Sequence, residues 1–196
     1  MVTETKILEI LLKEFGTKPT ITSLAKEIGM SRVGTWKLLK RLKKDKLVIL
    51  SPIGTGKTSA YIVSLNWENP LLDKNLSLIL TESAIKNQKW ISNFAELEKK
   101  VDFLILYGSI VLLPKEARDI DILGVTNKNK FLKIEKIINK MQKTQIKKIH
   151  SLNFTREEFK NELEKPNKVF IDAIKKGIIL FGQENFIKFM KRLSAR

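Results

Sequence analysis

Along the first third of the chain, hydrophobic residues recur at helical spacing in three separate stretches. In residues 3–15, Ile7, Leu8, Ile10, Leu11 and Leu12 supply one apolar face. Gly16-Thr17-Lys18-Pro19 breaks the pattern. A shorter helix is predicted near 23–28, with Leu24, Ala25 and Ile28 inward, and Gly29 suits a left-handed helix end. Ser31 suits the cap of a third helix over about 32–46. Thr35, Leu38, Leu39 and Leu42 fall on one stripe of that helix, and Arg32, Trp36, Lys37, Lys40 and Arg41 towards its other side. The pattern then becomes extended. Residues 47–50 and 61–65 read as the two strands of a hairpin.

Residues 66–70 are turn-rich and mark a domain boundary. The stretch 71–101 reads as mainly helical, with Ala84, Ile85, Trp90, Ile91, Phe94 and Leu97 as core candidates. The sequence leaves open whether this helix ties two domains together or forms a dimer contact. Phe103-Leu104-Ile105-Leu106-Tyr107 is a continuous apolar run that ends in Gly108 and Ser109. It predicts a buried strand that delivers a small-residue turn to the mouth of a site. Asp119-Ile120-Asp121-Ile122-Leu123-Gly124-Val125 alternates, so Asp119 and Asp121 project from one face and Ile120 and Ile122 from the other. A helix over 131–141, a strand over 145–154 and a capping box of Thr155 and Glu158 follow. Pro166 ends the helix that this box starts, and 169–176, 177–182 and 184–193 read as helix, strand and helix.

Composition narrows the picture. The chain has 196 residues, 43% of them hydrophobic and 30% charged, which is the balance of a soluble globular protein. No apolar run approaches a membrane span and the first residues begin no signal peptide, so a cytoplasmic protein without membrane contact is expected. The absence of cysteine excludes disulfides and thiolate metal sites. Lys and Arg number 37 against 21 Asp and Glu, a net charge of +16 that favours polyanionic partners. Arg32, Lys37, Lys40, Arg41, Lys43, Lys44 and Lys46 concentrate that charge on the third helix, with Asp45 the lone acid of 32–46.

Chemistry gathers around the two central strands. Gly108 has no Cβ, so backbone can approach a phosphate there. Ser109 would open a helix whose free N–H groups favour anionic oxygens. Asp119 and Asp121, roughly 6–7 Å apart along a strand, can converge on one hard divalent cation. A strand ending in Gly-Ser, followed by D-x-D on the next strand, resembles the DNA polymerase beta-like nucleotidyltransferase superfamily and its minimal branch, over roughly residues 90–185. The resemblance implies Mg²⁺-dependent transfer of a nucleoside monophosphate from a nucleoside triphosphate to an acceptor hydroxyl. Gly108 and Ser109 would cradle phosphates, and Asp119 and Asp121 would be the catalytic acids and metal ligands. The acceptor would be a protein such as a toxin partner, a nucleic acid or a small molecule. Two departures stand out: the 110–118 segment lacks a second glycine and has Arg118 for a usual serine, and the 145–154 strand has no acid. His150 and Asn153 are its only polar substitutes of catalytic interest. As the chain's one histidine, His150 makes no zinc site alone and reads as a satisfied, partly buried side chain.

Three helices and a hairpin, with a glycine-containing break before a basic third helix, resemble a winged helix-turn-helix over residues 1–66. The resemblance implies DNA binding. Arg32, Gly34, Trp36 and Lys37 would face bases or nearby phosphates, and Lys40, Arg41 and Lys57 at the wing tip would hold phosphates. Trp36 suits either stacking on the nucleic acid or packing on the wing. Gly54-Thr55-Gly56-Lys57-Thr58 looks like the tail of a Walker A loop, but Ser51 replaces its first glycine and a strand-like stretch follows, so an ATPase is rejected.

The fold class expected is therefore α+β: a winged helix-turn-helix (1–66), a helical linker (67–102) and a nucleotidyltransferase-like mixed sheet flanked by helices (103–196). The functional expectation is a nucleotidyltransferase-like protein with a DNA-binding winged helix. The alternative is a non-catalytic DNA-binding regulator whose second domain is a scaffold or nucleotide sensor. A winged helix that binds only a protein partner is a third reading.

Overall fold

The computed structural model describes residues 2–16, 18–54 and 60–194. The chain is α+β and divides into two units, Met1–Ile79 and Leu80–Arg196.

The first unit is a winged helix-turn-helix. Its elements are α1 (Val2–Leu12), α2 (Ile21–Ile28), α3 (Arg32–Lys44) and the antiparallel pair β1 (Val48–Ile53) and β2 (Ala60–Leu65). Ile7, Leu8, Leu12, Leu24, Leu39, Leu42 and Val63 form its buried centre. α2 starts earlier than the apolar pattern suggests because Thr20 caps it. Ser23 N–H donates to Thr20 Oγ1 at 3.2 Å and Thr20 N–H to Ser23 Oγ at 2.9 Å. Gly29 ends α2 at φ 71°, and Ser31 Oγ accepts from Gly34 N–H at 3.1 Å to start α3. α3 stops at Lys44, two residues short of the expected end, because Lys46 turns left-handed at φ 55° and leads into β1. Val63 N–H donates to the Pro19 carbonyl at 2.8 Å, which ties the wing to the entry of α2. Lys57 and most of the Walker-like stretch lie outside the described residues.

α4 (Pro70–Ile85) is one continuous helix, followed by α5 (Gln88–Phe94) and a short 3-10 turn, Ala95–Leu97. Of the core candidates here, Ala84, Trp90, Phe94 and Leu97 are buried, whereas Ile85 is exposed. Buried Leu72, Leu76, Leu80 and Ala84 define the inward face of α4, and one residue of helical rotation carries Ile85 off it.

The second unit is built on β3 (Phe103–Tyr107), β4 (Asp119–Val125), β5 (Lys148–Phe154) and β6 (Ile178–Phe181). These form a four-stranded sheet in the order β5-β4-β3-β6. β3 pairs antiparallel with β4 and β6, while β4 and β5 are parallel and joined through α7 (Phe131–Gln142), so the sheet is mixed. The remaining helices are α6 (Ser109–Leu112), α8 (Arg156–Glu164), α9 (Lys168–Lys176) and α10 (Gln183–Ser194).

Strand alternation gives the sheet two different cores. On one face Leu104, Leu106, Ile120, Ile122 and Ile149 pack with Phe94, Leu97, Ile134, Ile138 and Met141. On the other, the Phe103 ring lies 5.8, 5.4 and 5.7 Å from those of Phe159, Phe186 and Phe189. Phe103 pairs with Val125 at one end of the β3–β4 ladder, and Tyr107 pairs with Asp121 at the other. The aromatic face therefore becomes polar at the end where β3 stops and β4 begins. Among the described residues, no helix is long and apolar enough to cross a membrane.

Candidate functional site

At that polar end the carboxylates are held by the strand beneath them. Ile120 and Ile122 are fully buried on the opposite face, so pleating turns the half-buried Asp119 and Asp121 the other way. Gly108 follows β3 with φ 79° and ψ −161°, a conformation essentially reserved for glycine. A Cβ there would also collide with Asp121 Oδ2. The backbone favours glycine here, and any larger residue would also displace the Asp121 carboxylate. Ser109 is exposed and opens α6, whose Leu113 N–H donates to the Ser109 carbonyl at 2.7 Å. α6 spans only four residues, so it aligns few peptide dipoles and its field is small.

His150 completes the cluster. It is in register with Asp121 on β5, and Lys148 is in register with Asp119. His150 Nδ1 lies 3.4 Å from Asp121 Oδ1 and 3.6 Å from Asp119 Oδ2. His150 is thus satisfied, as its sequence context suggests, but by two acids at the site, and its side chain is 44% exposed where partial burial is expected. The two polar substitutes on β5 separate by parity. Asn153 pairs with Gly124 and projects to the opposite face, with Oδ1 buried near the Gly124 backbone. What could have identified His150 is the parallel pairing of β4 and β5, which hydrophobic patterning alone does not specify.

Burial, followed by the charge of Asp119, raises the Asp121 carboxyl above its usual range, and His150 opposes the shift. The Tyr107 phenol is pushed up to about 12, by burial first and then by Asp121. Lys147 Nζ donates to the carbonyls of Pro114, at 3.0 Å, and Ala117, which fastens the segment between α6 and β4. Among the described residues, no group of three or more His, Cys, Asp or Glu is arranged to hold a metal ion. Two carboxylates still suffice for one Mg²⁺ when substrate phosphates supply further oxygens. The residue that faces both acids across the ladder is an imidazole and not a third carboxylate.

The first unit offers a second surface. Arg32, Lys37, Lys40, Arg41, Lys43 and Lys44 are all exposed on α3. Gly34 is half-buried and its missing side chain would meet Met30 Cε at 3.1 Å and Ser31 Oγ at 3.2 Å, so this position faces the turn between α2 and α3. Trp36 packs on Tyr61 of β2, ring centres 5.3 Å apart, and Lys40 Nζ sits 5.3 Å over the indole. Of the two roles open to Trp36 in the sequence, packing on the wing is therefore in place. Val33 was not singled out by the sequence, yet it is 66% exposed at the start of α3. It lines an open groove of about 390 Å³ with Ile21, Arg32, Trp36 and Tyr61.

Comparison with known protein families finds no match, and comparison with curated proteins finds none either. Solved structures with some likeness are those of ZitR from Lactococcus lactis, described as a zinc-responsive MarR family member. One is 18% identical, covers 73% of this chain and 75% of that chain, and has a TM-score of 0.32. A cysteine-to-serine mutant of the same protein is 17% identical, with 74% of each chain covered and a TM-score of 0.32. A likeness of that size carries no argument about the function of this chain.

Proposed function

We propose that the chain is a cytoplasmic DNA-binding regulator that docks on duplex DNA through α3. In this reading its second unit is a nucleotidyltransferase-like scaffold that senses a nucleotide without transferring it. The observation that carries the proposal is the solvent face of α3, where Arg32, Lys37, Lys40 and Arg41 are exposed together at the start and middle of the third helix of a winged helix-turn-helix. Such a helix neutralises phosphates and releases counterions. Trp36, braced by Tyr61, gives Lys40 a fixed platform. Lys57 would add a phosphate contact from the wing.

Sensing rather than transfer is supported by the chemistry of the second unit. Asp119 and Asp121 would hold one Mg²⁺ against the phosphates of a nucleoside triphosphate, beside the bare backbone of Gly108 and the hydroxyl of Ser109. His150 brings no negative charge for a second ion.

Fluorescence anisotropy of a labelled duplex tests the DNA reading. If the four α3 cations each neutralise a phosphate, affinity falls about a hundredfold between 50 and 200 mM salt. Arg32→Ala with Lys37→Ala flattens that dependence. Binding that ignores both salt and the double substitution overturns the reading.

A second reading rests on the shared face of Asp119 and Asp121 next to Gly108. It is Mg²⁺-dependent transfer of a nucleoside monophosphate to an acceptor hydroxyl, on a protein such as a toxin partner or on a nucleic acid. Bound Mg²⁺ would supply charge stabilisation at the phosphates. Pyrophosphate release lost in Asp119→Ala would favour this reading over sensing.

A further inference from the structure

α4 is apolar on two faces. Leu72, Leu76, Ile79, Leu80 and Ala84 are buried, while Leu71, Leu78 and Ile85 are 62%, 59% and 58% exposed. These three exposed residues are seven apart in each case, which is close to two helical turns, so they stack in one line along the helix. Fourteen residues at about 1.5 Å each make that line about 21 Å long. Among the described residues, the other exposed large apolar side chains show no such repeat.

The polar residues around the line are ordered about its centre. Lys74 stands four residues before Leu78 and Glu82 four after, and both are exposed. Read outward from Leu78, the helix presents a charge at four residues and an aliphatic side chain at seven in both directions, with the two charges opposite in sign.

We propose that this stripe is the docking site of a second copy of the chain, with the two α4 helices antiparallel and a two-fold axis passing beside Leu78. Leu78 then meets the partner's Leu78, and Leu71 meets the partner's Ile85 at each end. Lys74 stands level with the partner's Glu82, twice by symmetry. A parallel pair would instead set lysine level with lysine and glutamate with glutamate, so charge selects the antiparallel arrangement. The contact is isologous, as closed dimers require. This inference is independent of the DNA reading, because it concerns only which surface a second copy covers.

Sedimentation velocity of the full chain at micromolar concentration tests it. The expected species has twice the 22.6 kDa mass of the chain. Leu78→Glu gives a monomer with an unchanged far-ultraviolet circular dichroism spectrum, because the side chain it replaces is exposed. Lys74→Glu weakens the dimer, and adding Glu82→Lys restores it. The chain has no cysteine, so introduced thiols report geometry directly. Leu78→Cys cross-links to itself on oxidation; Leu71→Cys alone does not, but does so when mixed with Ile85→Cys. A monomeric wild-type chain, a Leu78→Glu variant that stays dimeric, or self-cross-linking of Leu71→Cys overturns the proposal.

Discussion

His150 stands directly across the β4–β5 ladder from Asp121, with its Nδ1 3.4 Å from Asp121 Oδ1. That register puts an imidazole where a third acid would face the two on β4. The substitution is chemically consequential because a hard divalent cation prefers carboxylate oxygen to imidazole nitrogen. His150→Asp is therefore expected to tighten Mg²⁺-dependent binding of a nucleoside triphosphate, measured by calorimetric titration. Asp119→Ala is expected to abolish it. Equal affinity in wild type and His150→Asp would show that position 150 does not face the bound ion.

The raised pKa of Asp121 has a definite sign for stability. Its folded form holds the proton more tightly than the usual carboxyl at 3.8, so ionisation of Asp121 opposes folding. Below the unfolded value both states are protonated and the fold bears no penalty; the penalty grows as pH rises through the folded value and is complete above it. Asp121→Asn should accordingly raise the melting temperature at neutral pH, with the gain vanishing in acid below the usual carboxyl value. Thermal denaturation as a function of pH reads this directly, and a gain confined to acid would contradict it.

Tyr107 reports the same charge from the other side of the ladder. Its phenol titrates at about 12, partly because Asp121 lies opposite. Alkaline titration followed by ultraviolet absorbance, in a Tyr61→Phe background, should find this value moved towards 10 by Asp121→Asn. Burial is the larger cause, so only part of the shift should be lost.

Gly108 carries two constraints at once, its φ of 79° and the carboxylate of Asp121 where a Cβ would go. Gly108→Ala is expected to cost about 1–3 kcal/mol in urea denaturation, the scale of a residue held in a glycine-only conformation. Double substitution with Asp121→Ala should cost less than the sum of the two, because the collision is then removed.

Much of this molecule is legible from its pattern of apolar residues. The break at Gly29, the cap at Ser31, the strand ending at Gly108 and the alternation through Asp119 and Asp121 are local signals, and each is found in the fold. Two kinds of feature escape such reading. The proximity of His150 to Asp121 depends on which strand pairs with β4 and in which register, a tertiary choice that residues 145–154 do not encode by themselves. The exposure of Ile85 depends on which of two apolar faces of α4 the core takes, and helical periodicity marks both. The Thr20 cap escapes for a simpler reason: a Thr-Ser capping box is a weaker signal than the Thr-Glu pair at 155 and 158.

DNA binding through α3 is tested by titrating the full chain against a fluorescent DNA duplex over a range of salt, beside Arg32→Ala/Lys37→Ala. Log affinity should fall linearly with log salt, with a slope smaller by about two in the double variant. Asp119→Ala should bind as wild type does. A duplex affinity that is independent of salt and indifferent to Arg32 and Lys37 would contradict the assignment of α3 as a DNA-binding surface.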